Sequence, residues 1–430
     1  MTTKVQLKFQ KITPFGGLFY VSEQFLRSKL SRLIDERLGT RSQTGWGYSY
    51  GQCIMALALS NLCGGDCLED IQRLRHDPCI GGRERIPSPD TVGRALQSLS
   101  EENTPVENPR TGRSFLHNFG EKLNDLLVDV ALLLDTLPKG PLTLDFDHEF
   151  TPTEKYDTVR CYKHERGYFP GVATIGDRIV GVENRAANAS PVFAQDQQLE
   201  RIFQRLKRNN IVIENFRADN ASYCQDTLRV VMAHTKYFYV RARSPKQSYN
   251  LDSPDIQWNT VEINDKKVEL ASIEAEFVKG HTHRLVVKRE EQPLQDPPMK
   301  DLFGPRYKYR AIITNNFTLS DKEVLEFYNA RGASERLFDV MNNDFGWANQ
   351  PFSFMEQNTA YLIVKAIIHH FYHYLLKRIS PHVPALPQSS RMKKFIYHFV
   401  SVPAKWARTA RQWVLNLYTE QSFYLVLYKT

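Results

Sequence analysis

The chain has 430 residues, of which 42% are hydrophobic, 24% charged and 12% aromatic. That length allows two or three domains, and the balance excludes a disordered, fibrous or membrane-embedded chain. Lys plus Arg outnumber Asp plus Glu by 56 to 48, a formal net charge of +8, which suits either a basic enzyme or a protein with a polyanionic partner.

The first seventeen residues hold no apolar run leading to a cleavage-like site, so a cytoplasmic location is expected. Residues 1–137 read as a mostly helical N-terminal region. Helix-like apolar spacing covers 25–38 and 50–62, and a short helix is expected over 67–75. Cys53, Cys63, Cys67 and Cys79 cluster here, but no Cys-x-x-Cys pair exists, so buried thiols are favoured over a zinc site. Ser88-Pro89-Asp90 marks a helix start: a cap, a proline in the first turn and an acid on the N-terminal dipole. Arg83, Arg85 and Arg94 would let that helix meet DNA, or they dress an ordinary surface helix. A long apolar-periodic helix is expected over 115–137.

After Pro138-Lys139-Gly140-Pro141 the pattern changes. Residues 142–147 read as a buried strand, with further strands at 171–175, 178–183, 211–217 and 237–241. Helices are expected over 195–209 and 226–234, giving a mixed α/β core over 138–243. From 244 to 305 the helical signal disappears. Short strands at 255–260, 267–270, 274–278 and 283–288 suggest a β-rich insertion. The core resumes over 306–350, with a strand at 306–315 and a helix over 321–339. Residues 351–430 read as a basic helical C-terminal region, with Trp406 and Trp413 interleaved among seven Lys or Arg from position 391 onward. Its longest apolar run, 360–376, is interrupted by Lys365, His369, His370 and His373, so it is not a membrane span. His369 and His373 share a helix face, but a packed or DNA-facing helix fits them better than a metal site.

Chemistry concentrates in acids at strand ends. Asp145, Asp147 and Glu149 alternate onto one face of a strand. Such a group repels itself unless a cation neutralises it, and carboxylates suit Mg²⁺. Asp219 follows a second strand, at the edge where open α/β sheets bind ligands. Glu335 is a third acid. At about 100° per residue, Tyr328, Arg331 and Glu335 share one narrow helix face. Three carboxylates suffice for two-metal phosphoryl transfer, with Arg331 gripping phosphate and Tyr328 contacting backbone or base. No Walker-type loop and no Gly-x-Ser-x-Gly elbow competes.

These residues resemble the DDE transposases of bacterial insertion sequences, in the branch whose third-acid helix reads Tyr-x-x-Arg-x-x-x-Glu-x-x-x-x-x-x-Lys. Tyr328, Arg331 and Glu335 keep that spacing, while Asn342 stands at the lysine position. The similarity also covers Leu144-Asp145-Phe146-Asp147, Arg217-Ala218-Asp219, residues 73–78, the helix opening at Ser88, and Thr314-Asn315-Asn316. It implies an RNase H-like mixed-sheet core with a β-rich insertion, flanked by helical N- and C-terminal regions, the first of these serving DNA binding or dimerisation. It implies Asp147, Asp219 and Glu335 as catalytic acids and metal ligands, with Asp147 preferred to Asp145, and Tyr328 and Arg331 as DNA-binding residues. It implies two Mg²⁺ ions (Mn²⁺ substituting), cleavage at element ends and strand transfer. Double-stranded DNA, as terminal inverted repeats and target, would be the partner of a nucleoid-associated homodimer. Two departures stand out: Glu149 replaces a frequent Thr, and Ala221 replaces a frequent Gly. A nuclease without strand transfer and an inactive end-binding derivative are the competing readings.

Overall fold

A computed structural model describes residues 3–8, 10–41, 47–81, 84–263, 266–291 and 307–429. Arg83 and the expected boundary at 305/306 lie outside the described residues. The N-terminal region holds α1 (Gly17–Arg27), α2 (Leu30–Leu38), α3 (Tyr50–Asn61), α4 (Ile71–His76) and α5 (Pro89–Gln97). The single helix expected over 25–38 is two, because Lys29 adopts a left-handed backbone (φ 62°) between them. Ser49 and Gln52 close a capping box on α3. Ser88 caps α5 through the Thr91 amide, as its sequence suggests.

The helix expected over 115–137 is corrected. Residues 104–118 form a hairpin, β1 (Thr104–Glu107) and β2 (Ser114–Asn118), and α6 (Glu121–Leu133) starts only after Gly120 turns left-handed at φ 51°. The hairpin finds a sheet edge to pair with, a tertiary partner that overrides local helical spacing.

The central sheet contains β3 (Leu142–His148), β7 (Gly171–Ile175), β8 (Arg178–Arg185), β9 (Ile213–Ala218) and β10 (Tyr237–Arg241). Short strands β4 (Thr151–Pro152), β5 (Val159–Arg160) and β6 (Arg166–Tyr168) make a small side sheet. Core order is β8-β7-β3-β9-β10, with β7 antiparallel to β3 and β8, and β9 parallel to both β3 and β10. This is an RNase H-like arrangement. Between its strands lie α7 (Gln195–Arg208), α8 (Gln225–His234) and, after β10, α9 (Pro245–Ser248).

The expected β-rich insertion is not a separate excursion. It supplies β11 (Asn259–Ile263), β12 (Lys266–Ala275) and β13 (His283–Glu291), and β13 pairs with β14 (Tyr307–Thr314), itself paired with β10. Two expected short strands merge in β12. The result is one eleven-stranded sheet. Then come α10 (Asp321–Asn329), a 3₁₀ turn (Ala330–Gly332), α11 (Ala333–Asp344), α12 (Met355–Ile379) and α13 (Met392–Phe395).

The C-terminal region is not wholly helical. β15 (Ala404–Thr409) and β16 (Gln412–Leu417) form a hairpin before α14 (Phe423–Leu427). Ala410 and Arg411 are both left-handed (φ 48° and 66°), the two-residue turn that suits strand twist.

Alternation sorts the sheet's faces. Leu144, Phe146, Phe216, Ala218, Phe238 and Val240 pack under α7 and α8. Their neighbours point to the opposite face, where α6 and α12 cover the β7–β8 end and α10 covers β10, β13 and β14. α12 is buried almost all round. Its Lys365 amine donates to Asn61 Oδ1 (2.7 Å), and His370 bonds Thr136 Oγ1 and the Ile179 carbonyl, both at 2.7 Å. His369 and His373 turn their Nε2 atoms on each other at 3.0 Å inside that packing. No helix among the described residues is long and apolar enough to cross a membrane.

The two ends of the chain share a core. Thr13 bridges Ala404, the Gly16 amide donates to the Val402 carbonyl (2.7 Å), and Phe19 meets Trp406 edge-on at 5.2 Å. Gly17 lies so close to the Phe399 carbonyl that an added Cβ would sit 2.2 Å from its oxygen.

On the α10 face, buried Arg217 of β9 grips buried Asp145 of β3. Nε and Nη2 donate to the two carboxylate oxygens at 2.7 Å each, and Nη1 donates to the Phe327 carbonyl of α10 at 2.7 Å. Removing one member strands the other charge in the interior. We predict that Asp145→Ala lowers unfolding free energy by about 3–5 kcal/mol in urea titrations. A change under about 1 kcal/mol would mean the pair does not hold these elements together.

Candidate active site

Strand register brings two of the expected acids together. β3 and β9 run parallel, with Phe146 paired to Ala218. The next residue on each strand is Asp147 and Asp219, so the two carboxylates leave the sheet side by side at its C-terminal edge. Asp147 is half-buried. Its Oδ1 accepts the His148 amide (2.9 Å), and its Oδ2 takes the Arg331 guanidinium at 2.6 Å. Burial pushes the Asp147 carboxyl up to about 6; Arg331 pulls it down and Asp219 pushes it further up. Asp219 Oδ1 accepts the Ala221 amide (2.9 Å) and caps the 3₁₀ turn Asn220–Ser222, which fixes the side chain at the strand end.

Asp145 belongs to a different environment although it shares the β3 face. Both its oxygens are taken by Arg217, and it is only 4% exposed. Asp145 is thus neutralised inside the packing, whereas Asp147 is only half-buried and lies beside Asp219.

Glu149, read from the sequence as part of the acidic face of β3 but not among the expected catalytic acids, lies at the site as well. It sits one residue beyond β3, where its amide donates to the Pro170 carbonyl (3.0 Å). Burial, then the charges of Asp147 and Glu335, push its carboxyl up to about 7. Glu149 thus lies within electrostatic reach of the first strand-end acid and of the helix acid. The signal for it was the Asp145-x-Asp147-x-Glu149 alternation.

The helix bearing Tyr328, Arg331 and Glu335 is corrected. It is not continuous: α10 ends at Asn329, Ala330–Gly332 form a 3₁₀ turn, and α11 begins at Ala333. Gly332 is a poor helix former, and the tighter turn rotates α11 away from the path of a uniform α-helix. Arg331 lies in that turn, reaching Asp147 and, at 3.5 Å, the Phe146 carbonyl. Tyr328 is half-buried and feels Arg331, Arg241, Asp219 and Asp147. Glu335 is exposed in the first turn of α11. Among the described residues, the one set of three His, Cys, Asp or Glu with ligand atoms all within 4.8 Å is Asp66, Cys67 and Asp70. Asp147, Asp219 and Glu335 thus share one end of the sheet without forming so tight a shell. The other cluster is a loop turn, in which Asp70 Oδ2 accepts the Asp66 and Cys67 amides and the Cys67 thiol.

The donor chemistry fits a hard divalent cation. Asp147 and Glu149 are pushed up by burial and by their acidic neighbours, and among the described residues the guanidinium of Arg331 meets only the Asp147 carboxylate at contact distance. An added positive charge relieves that repulsion.

A comparison with curated proteins gives no match. Among solved structures, the chain is similar to a piggyBac transposase in a synaptic complex with hairpin DNA, determined by cryo-EM. The likeness covers 90% of this chain and 80% of that one, at 10% identity and a TM-score of 0.39. The profile of the family described as "Transposase DDE domain group 1", which implies dependence on a divalent metal, matches residues 2–429. Matched over essentially its whole length, the chain belongs to that DDE transposase family.

Proposed function

We propose that this transposase cleaves DNA at the ends of an insertion sequence and joins the freed 3′ ends to target DNA, with Mg²⁺ as the working ion. The observation that carries the reading is the pairing of Asp147 and Asp219 at adjacent strand ends, with Glu335 and Arg331 delivered to the same edge. Asp147, Asp219 and Glu335 would hold two Mg²⁺ ions (Mn²⁺ substituting), which would neutralise charge on the attacking and leaving oxygens of an in-line displacement. Glu149 is a fourth oxygen donor within reach. Arg331, now paired with Asp147, would exchange that carboxylate for a backbone phosphate, which its planar fork matches. Tyr328 would position the strand beside it. The partners are terminal inverted repeats and target DNA, and handling two ends calls for a homodimer.

Purified protein with Mg²⁺ is expected to join a 3′-OH element end to target DNA, and a chelator should stop it. Nicking without joining would instead identify a nuclease, and binding without cleavage in Mg²⁺ or Mn²⁺ an inactive derivative. Glu335→Gln is expected to slow cleavage by at least about a thousandfold, about 4 kcal/mol of transition-state stabilisation, with DNA binding near normal. Loss of binding along with cleavage would assign Glu335 a structural role. Arg331→Ala should bind Mn²⁺ more tightly in calorimetry without DNA, because Asp147 loses its competing cation, and should bind DNA more weakly. Unchanged Mn²⁺ affinity would rule out that competition.

A further inference from the structure

α10 lies on the sheet face formed by β10, β12, β13 and β14. Val324 and Leu325 pack there against Tyr239, Leu270, Val286 and Ile312. Where that apolar seam ends, a cavity of about 170 Å³ opens beneath the C-terminal turn of the helix. Arg241 of β10, Lys288 of β13 and Arg310 of β14 line it, with Tyr328 and Asn329 on the helix side, and no Asp or Glu is part of the wall.

The register makes this arrangement unfavourable by itself. Lys288 stands directly opposite Arg310 across the β13–β14 ladder. Like charges facing each other in a sheet repel. Glu290 is the nearby acid, and it serves several cations at once: Lys288 Nζ is 2.7 Å away, and Arg310 and Lys308 also hold its carboxyl low. The cavity therefore keeps a surplus of positive charge. Tyr328 connects it to the acids, since the same side chain lines the cavity and feels Asp147, Asp219 and Arg331. A line of donors runs from Arg331 past Tyr328 to Arg241, Arg310 and Lys288.

We propose that this cavity binds a backbone phosphate of the DNA strand as it passes from the acids onto the sheet extension. The inference rests on the transposase reading and gives β11–β14 a task within it. A phosphate removes the Lys288–Arg310 repulsion, and arginine forks match its oxygens. The strand is then gripped at two points, at Arg331 beside the acids and in the cavity beyond Tyr328.

The test uses the full chain and a fluorescein-labelled duplex with a single-stranded 3′ extension, titrated over a range of KCl concentrations. Arg241→Gln, Lys288→Gln and Arg310→Gln are each expected to reduce the salt slope of binding by about one and to weaken binding roughly fivefold at physiological salt. Arg310→Gln should melt near the wild-type temperature, because relief of the repulsion with Lys288 offsets the lost attraction to Glu290. Slopes equal to wild type would overturn the proposal while leaving the transposase reading intact. So would a drop in Tm large enough to account for the lost affinity. If millimolar inorganic phosphate raises the Tm of wild type but not of the triple variant, and DNA slopes match, the cavity takes a free anion and the strand assignment falls. Failure of the wild type to bind the duplex at all would remove the transposase reading, and the proposal with it.

Discussion

One guanidinium organises the acidic edge of the sheet. Arg217 joins β3, which leads to Asp147, to β9, which leads to Asp219, and to α10, which leads to Arg331 and Glu335. Its ring contact with Phe327, 4.9 Å from centroid, adds a fourth point of attachment. A buried ion pair seldom adds net stability over an apolar substitute, but it is strict about geometry, because every donor and acceptor must be met. Here that strictness sets the relative position of three segments far apart in sequence. It also ties Asp145 into the interior, so the acid-rich end of β3 acquires a defined order.

Two opposed fields then sit next to each other. On the edge, burial and acidic neighbours push the carboxyls of Asp147 and Glu149 up, and Arg331 pairs with Asp147. On the adjoining face, cations line a cavity and face each other across a ladder. Neither is relaxed alone. A polyanionic strand approaching bare carboxylates is repelled; one crossing a cationic face on the way is drawn in. Tyr328, touched by both fields, marks the boundary.

Much of this was legible in sequence, for local reasons. The strands bearing Asp147 and Asp219 are apolar runs with an acid at the end, and Ser88-Pro89-Asp90 announces a helix without help from elsewhere. What escaped depends on partners that are distant along the chain. Residues 114–118 carry a helical pattern yet pair with β8, since His117 and Asn118 meet Arg185 and Asn184. Residues 404–417 pair with each other across a turn that contains no glycine, so the usual hairpin signal is missing. The bond between Arg217 and Asp145 leaves no trace in the spacing of either. Glu149 was visible as part of an alternation, but only packing shows which member of that series is taken out of play. The break at Ala330–Gly332 was hidden because the helical spacing of Tyr328, Arg331 and Glu335 runs across it.

The knot between the two ends of the chain governs when the protein can exist as a working unit. Thr13, Gly16 and Phe19 find their partners at Ala404, Val402 and Trp406. Contacts so remote in sequence form late and slowly. During synthesis α1–α3 can pack on one another early, but the flank around Gly16–Phe19 is completed only after residues 399–406 have emerged. A product cut short before residue 399 would therefore leave the apolar flank of α1 bare, a target for chaperones and proteases.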